Sequence, residues 1–586
     1  MRLRIGSVAF LLVLSSLAFV GQPALAAAAP AGSTYSEVWF PSRDGTMLHG
    51  DLLKPTAGCP AGGCPVIVSI GPYFGHGTQG NNAPLVPTPT FTGVSDRFFD
   101  FIAYNFPGRG NIFQQGYAWL QVDSRGYGAS GGCNDYGGIG EQMDVAAAVE
   151  WAGQQDWSNG KVGMWGKSYD AWTQVMGLAM SPPHLEAVVV QSPIIDGYGI
   201  AYVNGVHHDA GWYATTSLYM LYDYQPVSIG DATRPEVIYP VSGTATDPCW
   251  AEQQAIIAAG WDRYEFPQWE YWRQRDLRPS ASRNDDVAVL WSHGFNDVNT
   301  KPDQIFGVYE PLNDLPKSNH RAWFGGWAHY RGNEANHTGR GGFLEESLDW
   351  FNHHLRGMPF AWEVNEKNVV EVQDNEGKWR TEAQYPPADI NWTTLPMRDG
   401  TYTDNNNSGT AAGYWTYSQP LAHDLRISGE PVVTLTADTE VPEGNAIVIL
   451  YDYTPGGSAR EISRGAYRFD GDGEVTFTLH PRDHIVRAGN RLAIHVTSGH
   501  PQFLPVPTQR TIGISDASID VPFLTWERVV NLTGGQASSQ ARLVFPSFSP
   551  GEAVDMPLPG PMTPYPTDDE GATRESIQPS VSTPAG

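Results

Sequence analysis

The chain has 586 residues, too many for one hydrophobic core, so two or three domains are expected. Its 63 acidic against 36 basic residues give a net charge of −27, a surface that repels nucleic acid and anionic membranes and argues against both as partners. Four cysteines, with no C-x-x-C or Cys/His pair at ligand spacing, point to two disulfides and to no metal site.

At the N-terminus, Arg2 and Arg4 precede an apolar run from about Val8 to Val20, and Ala24-Leu25-Ala26 has the small-x-small pattern of a cleavage site. Residues 1–26 therefore read as a secretory signal peptide, and the mature protein as secreted and free of the membrane. The run is too short for a comfortable span, and no later segment is long and apolar enough to be one.

Tyr35–Phe40 and Leu48–Leu53 predict a hairpin around Arg43-Asp44-Gly45. Pro65–Ile70 and Tyr117–Val122 are continuous apolar runs, as in strands covered on both faces. Gly140 to Gln154 has helical spacing through Met143, Ala146, Val149 and Trp151. Strands follow at Leu185–Gln191, Val287–Trp291 and His320–Phe324, and Gly342–Leu355 predicts a closing helix. The alternation is that of an α/β sheet. Between residues 200 and 277 the strand signals stop and Tyr, Trp and His crowd the chain, which reads as a helical cap inserted over the sheet's edge.

From about Val369 the texture changes to short alternating strands, among them Pro431–Thr436, Ala446–Tyr451, Glu474–Leu479 and Arg491–Thr497. These predict a β-sandwich of jelly-roll type. Asp470-Gly471-Asp472-Gly473 reads as a hairpin turn, because the other ligands of a calcium loop are missing. The expected organisation is an α/β domain over 27–199 and 278–358, a cap over 200–277, a sandwich over 359–547 and a disordered tail over 548–586.

The chemistry centres on Lys161–Trp172, which reads as a short strand, a tight turn and a helix start with Ser168 at the tip. Such a turn exposes the hydroxyl and aims the following backbone N–H groups at the place where an oxyanion would form. A serine nucleophile needs a base and an acid that orients the base, met in the chain order serine, acid, histidine. Asp297, in the loop after Val287–Trp291, is the candidate acid, with Asp285 and Asp286 as rivals. His329, after His320–Phe324, is the candidate base, with His293, His207 and His208 as rivals. Asp123 and Arg125 read as a structural pair near the sheet edge. Cys59 with Cys64, closing a tight loop, and Cys133 with Cys249, tying a loop to the insertion, are the favoured pairings.

These motifs resemble the serine hydrolase family that contains the X-Pro dipeptidyl-peptidases (peptidase family S15) and bacterial cocaine esterase. The family motif G-x-S-Y-x-G appears as Gly166-Lys167-Ser168-Tyr169-Asp170-Ala171, with alanine for the last glycine. Gly294–Pro302 resembles the acid loop of the dipeptidyl-peptidases, and Gly326-Trp327-Ala328-His329 the histidine loop. Gly71-Pro72-Tyr73 resembles the element whose tyrosine hydroxyl joins the Tyr169 N–H in the oxyanion hole. The resemblance implies an α/β-hydrolase sheet with an inserted helical cap and a C-terminal, galactose-binding-like jelly roll, acting through Ser168, His329 and Asp297 without a cofactor.

Removing dipeptides requires reading a free ammonium, for which Asp196, Asp209 and Asp223 on or beside the cap are candidates. Trp212, Tyr213, Tyr219, Tyr222 and Tyr224 offer aromatic surface for proline. Related α-amino acid ester hydrolases carry extra acids just after the catalytic aspartate, where this chain has Asn299 and Thr300. The leading expectation is thus a secreted X-Pro dipeptidyl-peptidase-type enzyme taking a small peptide. A carboxylesterase or amidase of cocaine-esterase type, taking an ester, is the alternative. A carbohydrate-binding protein with a degenerate hydrolase domain is the alternative of another class, and the intact Ser, Asp and His argue against it. A homo-oligomer is left open.

Overall fold

The structure, a computed structural model, describes residues 29–73, 100–127, 130–208, 249, 270–359, 369–439, 443–530, 532 and 544–564. The expected signal peptide and most of the expected cap lie outside these residues. The chain divides into two compact units, Met1–Met164 with Pro182–Leu185 and Thr216–Ile257, and Trp165–Ser181 with Glu186–Thr215 and Ala258–Gly586.

In the first unit, β1 (Ser33–Pro41) and β2 (Met47–Pro55) form the expected antiparallel hairpin. They continue through β4 (Ala118–Asp123) and β3 (Cys64–Gly71) to β5 (Ser158–Lys167), whose last three residues, Trp165–Lys167, belong to the second unit, in the order β1-β2-β4-β3-β5. Every residue of β3 and β4 is buried, which is why both read as unbroken apolar runs. Helix α1 (Ile139–Gly153) packs on β1 and β3. It buries more than the expected stripe, including Glu141 and Asp144, while Met143 and Trp151 stay half-exposed. The burial of Asp144 is balanced by a two-pronged bond from Arg125, Nε to Oδ2 at 2.8 Å and Nη2 to Oδ1 at 2.7 Å. Arg125 also reaches Asp44 at 2.9 Å, while Asp123 takes His49 Nδ1 at 2.8 Å. Disulfides join Cys59 to Cys64 and Cys133 to Cys249.

In the second unit, α2 (Tyr169–Met180) leads to β6 (Leu185–Gln191), β7 (Ala288–Gly294), α3 (Asp303–Asn313), β8 (His320–Gly325) and α4 (Phe343–Arg356). The strands β6, β7 and β8 are parallel neighbours. The sheet then continues through β9 (Val370–Gln373), parallel to β8, and β10 (Trp379–Glu382), antiparallel to β9. This corrects the expected boundary at residue 359, because the first two strands after Val369 extend the hydrolase sheet rather than the sandwich. Their charged residues are buried only because they are paired. Arg380, for example, bonds Glu382 at 2.6 Å and Asp483 at 2.6 Å.

The sandwich comprises β11 (Ile390–Pro396), β12 (Gly400–Thr403), β13 (Tyr414–Tyr417), β14 (Leu425–Gly429), β15 (Val432–Thr439) and β16 (Gly444–Tyr453). It is completed by β17 (Ala459–Phe469), β18 (Gly473–Thr478), β19 (Arg482–Val486), β20 (Arg491–Thr497), β21 (Thr511–Leu524) and β22 (Val544–Phe545). One sheet runs β18-β15-β21-β14-β19 with β11 and β12 along β21, and the other runs β13-β20-β16-β17-β22. Between them lies an apolar core that includes Leu435, Val448, Ile494 and Ile519. The Asp470–Gly473 stretch is the turn between β17 and β18. Trp415 is stacked on His495 at 4.1 Å and flanked by Phe548 at 5.3 Å.

Residues 549–564 depart from the expected disorder. Val554 N–H donates to the Tyr417 carbonyl at 2.8 Å, and Thr563 N–H to the Thr525 carbonyl at 2.9 Å. The segment therefore runs along the sandwich as bonded backbone. Residues 565–586 lie outside the described range.

Candidate active site

Ser168 sits between β5 and α2 with φ 63° and ψ −119°, a conformation outside the favoured regions for a residue with a side chain. Backbone bonds hold it there. Its N–H donates to the Gln191 carbonyl at 3.0 Å, and its own carbonyl accepts Ala171 N–H at 3.0 Å and Trp172 N–H at 2.9 Å. Gly166 lets the turn close, because a Cβ there would strike the Cβ of Asp170. The strain keeps the serine half-exposed at the helix N-terminus, where the first-turn N–H groups and the helix dipole favour negative charge. Tyr169, the first helical residue, has its ring buried 5.4 Å from Trp172, so its backbone is fixed at that end.

Asp297 is fully buried beyond β7. Its Oδ1 accepts Asn299 N–H at 2.8 Å and Thr300 N–H at 3.1 Å, and its Oδ2 accepts the Thr300 hydroxyl at 3.0 Å. Oδ2 also pairs with His329 Nδ1 at 2.7 Å. His293 Nε2 stands 3.4 Å from the same oxygen without the alignment of a hydrogen bond. Burial pushes the Asp297 carboxyl up, but the imidazoles of His329 and His293 outweigh it and hold the group well below the usual carboxylate range. Burial pushes His329 down; Asp297 opposes, Lys167 adds to the lowering, and the net position is below the usual 6.5. At neutral pH the pair is an ionised carboxylate beside a neutral imidazole, the state a general base requires.

The acid and histidine loops are laced together by their backbones. Phe295 N–H donates to the Gly325 carbonyl at 2.6 Å, Asn296 N–H to the Trp327 carbonyl at 3.0 Å, and the Asn296 amide to the Gly326 carbonyl at 2.6 Å. Gly294 permits this approach, since a Cβ there would collide with the Trp327 carbonyl. The nucleophile turn reaches the same loop through Lys167, whose Nζ donates to the His329 carbonyl at 2.8 Å. The Ser168 hydroxyl itself makes no hydrogen bond among the described residues. Serine–histidine bonds of this kind commonly tighten only as substrate closes on them.

The other expected site residues divide. Asp285 and Asp286 sit before β7 on Lys317 rather than near His329. His208 is buried against Gln502 at 2.6 Å. Asp196 caps a one-turn helix (Gly197–Ala201), accepting Tyr198 N–H at 3.0 Å, and pairs with Arg278 at 3.0 Å. Burial pushes its carboxyl up to about 6 against the pull of Arg278. Tyr73 lies half-buried just past β3, in the first unit. Asp209, Trp212 and Asp223 lie outside the described residues, as do Tyr213, Tyr219, Tyr222 and Tyr224. Thr300, named from the sequence only as a departure from the acids of related hydrolases, supports Asp297, and Lys167, which bonds the His329 carbonyl, was not singled out from the sequence. Their signal was a donor side chain inside each motif. No cluster of metal-ligating side chains occurs among the described residues.

Two family models match, the X-Pro dipeptidyl-peptidase S15 family over residues 44–331 and the X-Pro dipeptidyl-peptidase C-terminal non-catalytic domain over 361–539. The Xaa-Pro dipeptidyl-peptidase of Lacticaseibacillus rhamnosus is 24% identical over 501 residues, covering 72% of this chain and 60% of its own length. A Streptomyces avermitilis relative, provisionally named for the same activity, is 24% identical across 71% of this chain and 61% of its own. The chain thus spans about three fifths of the length of these two relatives. Among solved structures, a CocE/NonD family hydrolase from Staphylococcus aureus superposes with a TM-score of 0.63 at 16% identity, covering 86% of this chain and all of the other. An aminopeptidase from a marine sediment Thaumarchaeota archaeon gives 0.60 at 17% identity, with coverages of 84% and 97%. With the two models matched in series, the chain belongs to the X-Pro dipeptidyl-peptidase (S15) family of serine hydrolases, and the solved structures share its α/β-hydrolase fold.

Proposed function

We propose that the protein is a secreted X-Pro dipeptidyl-peptidase-type aminopeptidase that works through Ser168, His329 and Asp297. The observation that carries the reading is the 2.7 Å bond from buried Asp297 to His329 Nδ1, in a loop whose backbone is held by the residue next to Ser168. Asp297 fixes the tautomer that presents Nε2 as the acceptor, and stabilises the imidazolium formed when Ser168 gives up its proton. Ser168 Oγ attacks the carbonyl carbon, and charge collects on the carbonyl oxygen. The Tyr169 N–H takes that charge at the helix terminus. His329 then protonates the leaving amine, and water deprotonated by the same ring releases the acyl group from Ser168.

The peptide reading is supported by the family description and the relatives' names. Asp196 is a weak reader of that ammonium, because Arg278 already occupies it. Secretion is supported by the N-terminal pattern and by the two disulfides, which persist in oxidising compartments. N-terminal sequencing of exported protein starting after Ala26 is the expected result.

Glycyl-prolyl anilide, its N-blocked form and a short acyl ester separate the readings. Cleavage of the free anilide with loss on blocking is expected. Rapid ester turnover without anilide cleavage would instead establish the carboxylesterase reading. Ser168→Ala is expected to abolish every turnover while the circular dichroism spectrum stays unchanged.

A further inference from the structure

We propose that Lys167 is a positioning residue for the base, its ammonium anchoring the His329 loop against the nucleophile turn and keeping the imidazole in its proton-accepting form. The inference rests on the reading of Ser168, His329 and Asp297 as the catalytic set.

Lys167 ends β5 and is the covalent neighbour of Ser168. Its Nζ donates to the backbone carbonyl of His329 at 2.8 Å. One side chain therefore fixes the spacing between the two loops that must exchange a proton. The need for such a tie follows from the local architecture. Ser168 is held by the carbonyl of Gln191, at the end of β6, whereas His329 hangs from the end of β8 and is tied to β7 through the acid loop. A second tie from β6, Gln191 Oε1 accepting Gly332 N–H at 3.0 Å, holds the histidine loop beyond the base but not at it. Among the described residues, Lys167 supplies the side-chain bond to the base's own backbone.

The same ammonium is a charge facing the imidazole. The charged and titratable groups that act on His329 are Asp297 and His293 from the β7 end and Lys167 from the β5 end. Asp297 favours the imidazolium, while Lys167 and burial oppose it. That balance keeps the base unprotonated below the pH at which an isolated histidine would take up a proton, and leaves Asp297 to stabilise the cation that forms during reaction.

The test is the pH profile of kcat/KM for Lys167→Gln, Lys167→Arg and Lys167→Met on the substrate whose turnover Ser168→Ala abolishes. Lys167→Gln retains a donor for the carbonyl but not the charge. Its acid limb is expected to move up by about one pH unit, the size of effect expected for a nearby, partly screened charge. Lys167→Arg, which keeps the charge, is expected to leave that limb near its parental position. Lys167→Met loses both features, and its kcat is expected to fall by roughly tenfold to a hundredfold with little change in KM, as for a displaced catalytic group. An unmoved acid limb in a folded Lys167→Gln overturns the proposal, as does a folded Lys167→Met with parental kcat. If Lys167→Met does not fold, Lys167→Gln still decides. Full activity of Ser168→Ala would bring down the catalytic reading itself, a result separate from any of the lysine outcomes.

Discussion

His480 Nδ1, on the sandwich, lies 3.0 Å from Asp303 Oδ1, on the first turn of the helix that follows the acid loop. The sandwich is thereby joined to the segment that begins with Asp297. A second join is made through Asp483, which accepts Arg380 at 2.6 Å from the last strand of the hydrolase sheet and Arg426 at 2.9 Å from the sandwich. Burial pushes the Asp483 carboxyl up, but the two guanidinium groups hold it well below its usual range. A buried, doubly paired carboxylate fixes the relative register of the strands that meet there, because removing either partner would strand a charge.

Asp297→Asn tests the orienting role. The amide oxygen can still accept Asn299 and Thr300 N–H, so the loop is expected to stay folded. The Nδ1–H partner of His329 is weakened and the wrong tautomer is favoured. On the order of a ten-thousandfold loss of kcat, with little change in thermal midpoint, is expected from the analogous change in serine proteases. Parental turnover in this variant would remove Asp297 from the mechanism.

The buried histidines predict how stability depends on acid. Burial pushes His320, His480 and His495 down to about 4. In the unfolded chain each takes up a proton near 6.5, so the stability they contribute is complete above that pH and is lost as pH falls from 6.5 toward 4. His49 has the opposite sign. Burial lowers it, but the side-chain interactions of Asp123 and Glu37 and the charges of Asp123 and Asp51 prevail and raise it to about 9. Its contribution is complete below 6.5 and is lost as pH rises through 9. Thermal midpoints between pH 4 and 10 should fall on both sides. His495→Gln should flatten the acid side and His49→Gln the alkaline side; unchanged slopes in both variants would refute the assignment.

Much of this was legible because strong periodic signals coincide with burial. β3 and β4 read as apolar runs because helices or chain cover both faces, and the catalytic candidates followed from motif and chain order. β9 and β10 were read with the sandwich because Glu371, Gln373, Arg380 and Glu382 give them the alternation of a half-exposed strand. Their burial depends on partners distant in sequence, such as Asp483. Helix α3 is not among the elements expected from the sequence: Ile305, Val308, Tyr309 and Leu312 lie at helical spacing, but Pro302, Gly307 and Pro311 weaken the pattern. The stretch beyond Ser549 has a disorder-like composition, yet its backbone bonds to Tyr417 and Thr525, a pairing that composition does not encode.

Gly294→Ala tests the close approach of the acid and histidine loops. The added methyl would meet the Trp327 carbonyl, a backbone atom held by its own bond to Asn296. Neither loop can yield without lengthening the Asp297–His329 contact. A destabilisation of about 1–3 kcal/mol, typical of overpacking, is expected together with a fall in kcat. Gly341→Ala, at a position open to solvent, is the control and should change neither. Equal behaviour of the two variants would show that the loops are not locked.

Asp170 makes the sharpest stability prediction. It is buried beside the nucleophile, and among the described residues neither carboxyl oxygen has a hydrogen-bond partner. Burial pushes its pKa well above the usual value, against the weaker downward pull of Arg331. The folded chain therefore keeps the proton that the unfolded chain releases near 3.8. With more protons bound in the folded state, stability attributable to Asp170 is complete below that pH and declines as pH rises toward the folded value. Asp170→Asn removes the titration while nearly preserving shape. The variant should gain on the parent as pH rises above the unfolded value of 3.8, at a slope no steeper than about 1.4 kcal/mol per unit, the limit for one proton. Denaturant unfolding at several pH values measures the difference. A constant offset would mean that Asp170 is ionised in the folded protein, and that a charge beside the oxyanion site is compensated by Arg331.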